Sequence, residues 1–157
     1  MSDRHILSRA AYDKLAAELE DLTTRGRIEI AKAIGVAREL GDLSENGDYQ
    51  AAKDHQGMME GRIRQLQGIL KDADVVDSVD DGIVSPGSIV TILYDGDDDD
   101  MAERYLLGHI EERSDDLHVI TVGSPLGAAL LGHKAGTSVT YEANGNTLKV
   151  TIKAVEI

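Results

Sequence analysis

Three carboxylates, Asp42, Glu45 and Asp48, fall in the stretch Gly41-Asp42-Leu43-Ser44-Glu45-Asn46-Gly47-Asp48-Tyr49, which holds no basic residue. Oxygen donors of this kind suit a hard divalent cation such as Mg2+. That ion often takes only one or two protein carboxylates and fills its shell with water and phosphate. So sparse a set would complete a site whose other half lies on a partner, rather than hold the ion tightly alone. The same residues also read as helix caps. Asp42 and Glu45 have the spacing of a capping box, and Ser44 could cap as well. Acidic residues in a first turn complement the helix dipole. Capping alone leaves unexplained why like charges gather without a base, since they repel one another. Arg38 and Lys53 stand behind the acidic stretch. They read either as solvated helix positions paired with Glu39 or Asp54, or as a positive collar able to hold a phosphate.

Two long helical patterns flank this stretch. Upstream, apolar or small residues recur at Tyr12, Leu15, Leu19 and Leu22, then at Ile30, Ile34 and Ala37. Downstream, Tyr49, Ala52, Gln56, Met59, Ile63, Leu66 and Leu70 alternate steps of three and four, a heptad seam. Two such helices with a short connection predict an antiparallel hairpin over about residues 9–40 and 46–73, with the acidic stretch at its tip. Arms of this length give a reach of roughly 40 Å. Ser8 is the expected N-cap of the first arm, and Gly41 suits the residue just past its end. The upstream seam slips by one place at Thr23-Thr24-Arg25-Gly26, which predicts a kink or stutter there.

The second half changes period. Ser88–Tyr94, Glu103–Ile110, Leu117–Val122, Thr137–Glu142 and Thr147–Val155 read as strands. Asn144-Gly145 marks a hairpin between the last two. Pro125 to Gly132 reads as one short helix. Its apolar turn from Leu126 to Leu131 is either core packing or a partner contact. The fold class predicted is α+β: a coiled-coil hairpin over residues 1–76 with its tip at 41–49, a linker at 77–84, and a small antiparallel β domain with one short helix at 85–157. The carboxylate run Asp97–Asp100 reads as a solvated loop. As a calcium loop it lacks the glycine and the glutamate such a loop requires.

Composition narrows the function. The chain has 157 residues, no cysteine, no Phe or Trp, and five tyrosines. Thiol chemistry and zinc–thiolate sites are excluded, and stacking platforms for bases are scarce. No long apolar run or basic leader is present, which predicts a soluble, cytoplasmic protein. The net charge is −13, with −4 over residues 1–77 and −9 over residues 78–157. Phosphate backbones repel such a chain, so another macromolecule would have to hold it near nucleic acid. The histidines, His5, His55, His109, His118 and His133, show no metal-site spacing on one helix face. Nucleophile elbows, phosphate loops and dinucleotide fingerprints are absent, so the chain does not read as a self-contained enzyme.

The run from Gly41 through Tyr49 and on through Gln50-Ala51-Ala52-Lys53 resembles the tip signature of the bacterial Gre transcript cleavage factors. The similarity continues in Gln56-Gly57 and Glu60-Gly61-Arg62-Ile63. Ser124-Pro125-Leu126-Gly127-Ala128-Ala129-Leu130-Leu131-Gly132 resembles the family's second signature. The resemblance implies an N-terminal coiled coil and an FKBP-like C-terminal domain. It implies that the second domain docks at the rim of the RNA polymerase secondary channel and that the tip reaches the active centre of a backtracked complex. The polymerase's own centre would then cleave the RNA 3′ end. Asp42 would help hold a Mg2+ shared with the polymerase, and Glu45 would help position or activate the attacking water. Ser44, Tyr49, Arg38, Lys53, Leu126 and Leu131 are the expected contacts with polymerase or with the nascent RNA, and the factor is expected to act as a monomer. Three positions depart from the family pattern. Ile28 follows Arg27 where proline is frequent, Ser44 stands where a base is frequent, and Ala128 or Ala129 stands where the second signature often carries a basic residue. The alternative is a Gre-like regulator that binds the channel without stimulating cleavage. A structural coiled-coil adaptor is a third reading.

Overall fold

The computed structural model describes residues 5–42, 45–77, 81–112 and 116–157. The chain divides into two compact units, one holding the segment through Tyr12 together with Ala73–Ile157, the other Asp13–Asp72.

The helical unit is built from α1 (Arg9–Asp21) from Asp13 onward, α2 (Arg27–Arg38) and α3 (Gly47–Lys71). Ser8 caps α1 as expected, its Oγ accepting the Ala11 N–H at 3.1 Å. The slip in the apolar seam has a specific origin. Leu22–Gly26 form a π-helical turn, and the residues bounding it, Asp21 and Arg27, keep right-handed helical angles. A π turn winds one extra residue into the helix and so shifts the register without ending it. The hydroxyls of Thr23 and Thr24 donate back to the carbonyls of Leu19 and Glu20, at 2.9 and 2.7 Å, where the ladder changes pitch. Gly26 lies close to α3, since a Cβ there would stand 3.1 Å from Met59 Sδ.

Beyond this turn Ile30 and Ile34 of α2 pack with Met59 and Ile63 of α3, flanked by Leu19, Leu22, Tyr49 and Ala52. Each buried side chain of this size contributes roughly 1.5–3 kcal/mol. The arms run antiparallel. Ion pairs join Glu18 to Arg62 at 2.7 Å and Arg27 to Glu60 at 2.9 Å, so that rising numbers on one arm meet falling numbers on the other.

In the other unit β1 (His5–Ser8) pairs in parallel with β2 (Ala73–Val76). Five more strands follow: β3 (Ile89–Tyr94), β4 (Glu103–Leu107), β5 (His118–Ile120), β6 (Ser138–Ala143) and β7 (Asn146–Glu156). They form one sheet in the order β5-β4-β3-β7-β6. Asn144 and Gly145 take φ of 52° and 79°, the double left-handed turn that hairpins prefer. The short helix α4 (Pro125–Leu130) covers the sheet. Leu130 joins Val84, Val90, Ile92, Leu107, Val139, Val150 and Ile152 in its core.

Two expectations need correction. The sheet is mixed, because β4 and β5 run parallel after a connection that includes a 3-10 turn at Ile110–Glu112. The lead-in and the residues just before the expected linker are strands of the sheet-bearing unit, so 1–76 is not one hairpin unit. Side chains anchor β1 as well. His5 and His109 meet ring to ring with nitrogens 2.8 Å apart, and Ser8 Oγ donates to Glu112 at 3.2 Å.

Candidate functional site

The acidic end of the hairpin is assembled from the last turn of α2, the loop after it and the first turn of α3. The α2 helix closes with Leu40 N–H on the Ala37 carbonyl and Gly41 N–H on that of Arg38. Gly41 has φ of +115°, a conformation that favours glycine over any residue with a Cβ. Ser44 lies outside the described residues.

The capping reading of the carboxylates does not hold. The N-cap of α3 is Asn46, with extended angles of −88° and 100°. Its Oδ1 accepts the Tyr49 N–H at 3.0 Å. Glu45 therefore precedes the cap and is not the third helical residue, a place that Tyr49 takes. Asp42 contributes its backbone carbonyl to Glu45 N–H at 3.4 Å and is not a cap of α3. The helix starts later than the carboxylate spacing suggests because asparagine caps as well as aspartate or serine and stands next to the helical run. Asn46 Nδ2 also donates to the Ala37 carbonyl at 2.5 Å, which joins the two arms. Sequence reasoning missed this residue, although its type and its place before Gly47 carried the signal.

Asp42, Glu45 and Asp48 are all exposed and line one shallow recess of about 400 Å3 with Leu40, Asn46 and Gly47. Among the described residues no three acidic or histidine side chains converge as a metal cage. The donor set, three carboxylates, is nonetheless the hard-oxygen kind that Mg2+ accepts, and fewer than a full octahedral shell. Behind the recess the Arg38 guanidinium carbon sits 5.9 Å from the centre of the Tyr49 ring, a cation–π arrangement across the two arms. Lys53 Nζ donates to Gln56 at 3.0 Å along its own helix. The structure thus brings Arg38 and Tyr49 together at this end of the hairpin, while Lys53 bonds one turn further along α3.

The remaining expected contacts lie in the sheet-bearing unit. Leu126 packs partly buried against the core, whereas Leu131 is 41% exposed. Ser124 caps α4, accepting the Gly127 N–H at 3.1 Å. A Cβ at Gly127 would collide with the Thr121 carbonyl oxygen, so the second signature needs its glycine for packing. The Asp97–Asp100 run is exposed, and Asp99 pairs with Lys153 at 3.5 Å.

Comparison with known proteins places these features. Residues 5–75 match the family model for "Transcription elongation factor, N-terminal", and residues 79–157 match "Transcription elongation factor, GreA/GreB, C-term". The transcription elongation factor GreA of Streptomyces coelicolor is 47% identical over 152 residues, covering 96% of this chain and 92% of that one. That of Saccharopolyspora erythraea is 46% identical over 153 residues, covering 96% and 93%. The solved transcription factor Gfh1 aligns over 99% of each chain at 25% identity, with a TM-score of 0.41. Matched along both halves, this chain belongs to the GreA/GreB family of transcription elongation factors.

Proposed function

We propose that this elongation factor stimulates transcript cleavage by bacterial RNA polymerase, entering the secondary channel of an arrested, backtracked complex hairpin first. The supporting observation is the exposed carboxylate recess at the hairpin end, whose Asp42 and Glu45 do not cap α3. The relatives' name, GreA, accords with this reading over that of a non-cleaving regulator. The polymerase, not this chain, is the enzyme; the factor supplies side chains to a centre that already exists.

In this reading Asp42 presents a carboxylate oxygen to the polymerase's active centre. Glu45 orients the attacking water and accepts its proton as the oxygen bonds to phosphorus and the bond to the upstream 3′ oxygen breaks. Asp42 would help hold a Mg2+ shared with that centre, which would supply charge stabilisation to the attacking and leaving oxygens. Arg38, held over Tyr49, offers a cation to the phosphate of the extruded RNA, Lys53 offers a second one, and Ser44 is a further proposed contact. The sheet-bearing unit, with most of the negative charge, docks on protein at the channel rim, with Leu131 as an exposed apolar contact. The factor acts as a monomer in the cytoplasm, where transcription takes place.

The test is the rate of 3′ fragment release from a backtracked complex across a Mg2+ series. Asp42→Asn and Glu45→Gln should each remove most of the stimulated cleavage while binding to polymerase persists. Raised Mg2+ should partly restore Asp42→Asn, because mass action offsets a weakened site. Near-wild-type rates in both variants would overturn the reading.

A further inference from the structure

Asn46 engages both arms of the hairpin through one carboxamide. Its Oδ1 accepts the Tyr49 N–H of α3 and its Nδ2 donates to the Ala37 carbonyl of α2. The partners dictate which end of the amide faces which arm, since an N–H requires the oxygen and a carbonyl requires the nitrogen. Both partners are fixed in place. Ala37 is 4% exposed, and Tyr49 packs against the cluster of Ile30, Ile34, Met59 and Ile63. The main-chain carbonyl of Asn46 additionally accepts the Gln50 N–H at 3.1 Å. The acidic loop therefore leaves from and returns to a frame that this side chain bridges, beside the Arg38–Tyr49 contact across the same two arms.

Capping alone does not require asparagine. Serine and aspartate cap as well, yet an ionised aspartate has no donor for the Ala37 carbonyl, and a serine hydroxyl sits too near its own backbone to reach it. The bridge, not the cap, selects the residue type.

We infer that Asn46 is a positioning residue for transcript cleavage: its bridge between α2 and α3 fixes the frame from which the loop presents Asp42 and Glu45. This rests on the roles proposed for those two carboxylates. Loosening the frame leaves their charges intact and shifts their placement, and a displacement of about 1 Å can lower a rate on the order of 100-fold.

The experiment compares full-length wild type, Asn46→Ser and Asp42→Asn, following 3′ fragment release from a backtracked complex over a range of factor concentrations. Asn46→Ser keeps a capping oxygen and loses the bond to Ala37. Its plateau rate should fall roughly tenfold or more while the half-saturating concentration stays within about twofold of wild type. A variant that only folded less well would regain the wild-type plateau at higher concentration, and that result overturns the inference. A wild-type plateau for Asn46→Ser beside a crippled Asp42→Asn would also overturn it and leave the carboxylate reading standing. Undiminished cleavage by Asp42→Asn would overturn both.

Discussion

The shaft of the hairpin and its acidic end are stabilised in opposite ways. Along the shaft, oppositely charged side chains tie arm to arm, Glu18 to Arg62 and Arg27 to Glu60, over a seam of buried Ile30, Ile34, Met59 and Ile63. At the end, acidic side chains gather exposed around a recess, and one asparagine bridges the arms. Charge in the shaft serves assembly. Charge at the end is concentrated in one sign on exposed side chains around a recess, which is how a surface built for something outside the molecule differs from one built for itself. The contrast predicts that stability and function separate by position along the same hairpin.

The largest effect should come from the shaft core. Ile63 is 1% exposed. Ile63→Ala should lower unfolding stability by about 2–5 kcal/mol, from lost transfer energy plus the cavity left behind. Denaturant unfolding followed by helical circular dichroism measures it, and a loss below ~1 kcal/mol would mean that the seam does not hold the arms.

Next comes the bridge. Asn46→Ala removes the cap of α3 and the bond to Ala37 together, and should cost about 1–2 kcal/mol in the same measurement. A loss this size from one exposed-end residue would mark the bridge as the place where the end borrows the shaft's rigidity.

These two sites also show what the sequence carried and what it did not. The seam from Tyr49 through Ile63 was legible because a heptad pattern is local and repeated. The one-place slip after Leu22 was legible as an irregularity. Its form, a π turn, depends on hydrogen bonds that no residue pattern spells out. The place of the carboxylates was legible too. Their capping role was misread because Asp42 and Glu45 satisfy a capping spacing that Asn46, nearer the helical run, supersedes. The pairing of β1 with β2, and of His5 with His109, joins residues far apart in sequence and left no local trace.

Smaller effects follow from the charges. Glu18→Gln, which breaks a partly exposed pair, should cost less than ~1 kcal/mol. The pairs also set an acid window. The hydrogen bond from Arg62 holds the Glu18 carboxyl below the usual carboxylate range, and Arg27 does the same for Glu60. A depressed carboxyl contributes stability above its ordinary value of about 4, and that contribution is lost as pH falls through the lowered folded value. His109 works in a different window. Burial, and then the neighbouring His5, lower its pKa against the opposing pull of Glu111 and Glu112. A lowered histidine contributes stability above its ordinary value of about 6.5, which is lost as pH falls from there. On acidification the sheet-bearing unit should therefore loosen before the hairpin does. Amide resonances of the two units followed from pH 7 downward would show the order, and simultaneous loss would break the comparison.

The smallest expected effect decides what the acidic end is for. If Asp42 were a helix cap, Asp42→Ala would cost about 1 kcal/mol, as cap removal does. With Asn46 holding that place, Asp42 is an exposed side chain ahead of the helix, and such substitutions usually change stability by less than ~0.5 kcal/mol. Asp42→Ala should thus melt close to wild type, while Asn46→Ala melts clearly below. Thermal melts of the two variants side by side make the comparison. Equal destabilisation would return Asp42 to the structural charges of the shaft. A silent melt together with lost cleavage would set it apart as a charge that serves no fold and is present for its partner.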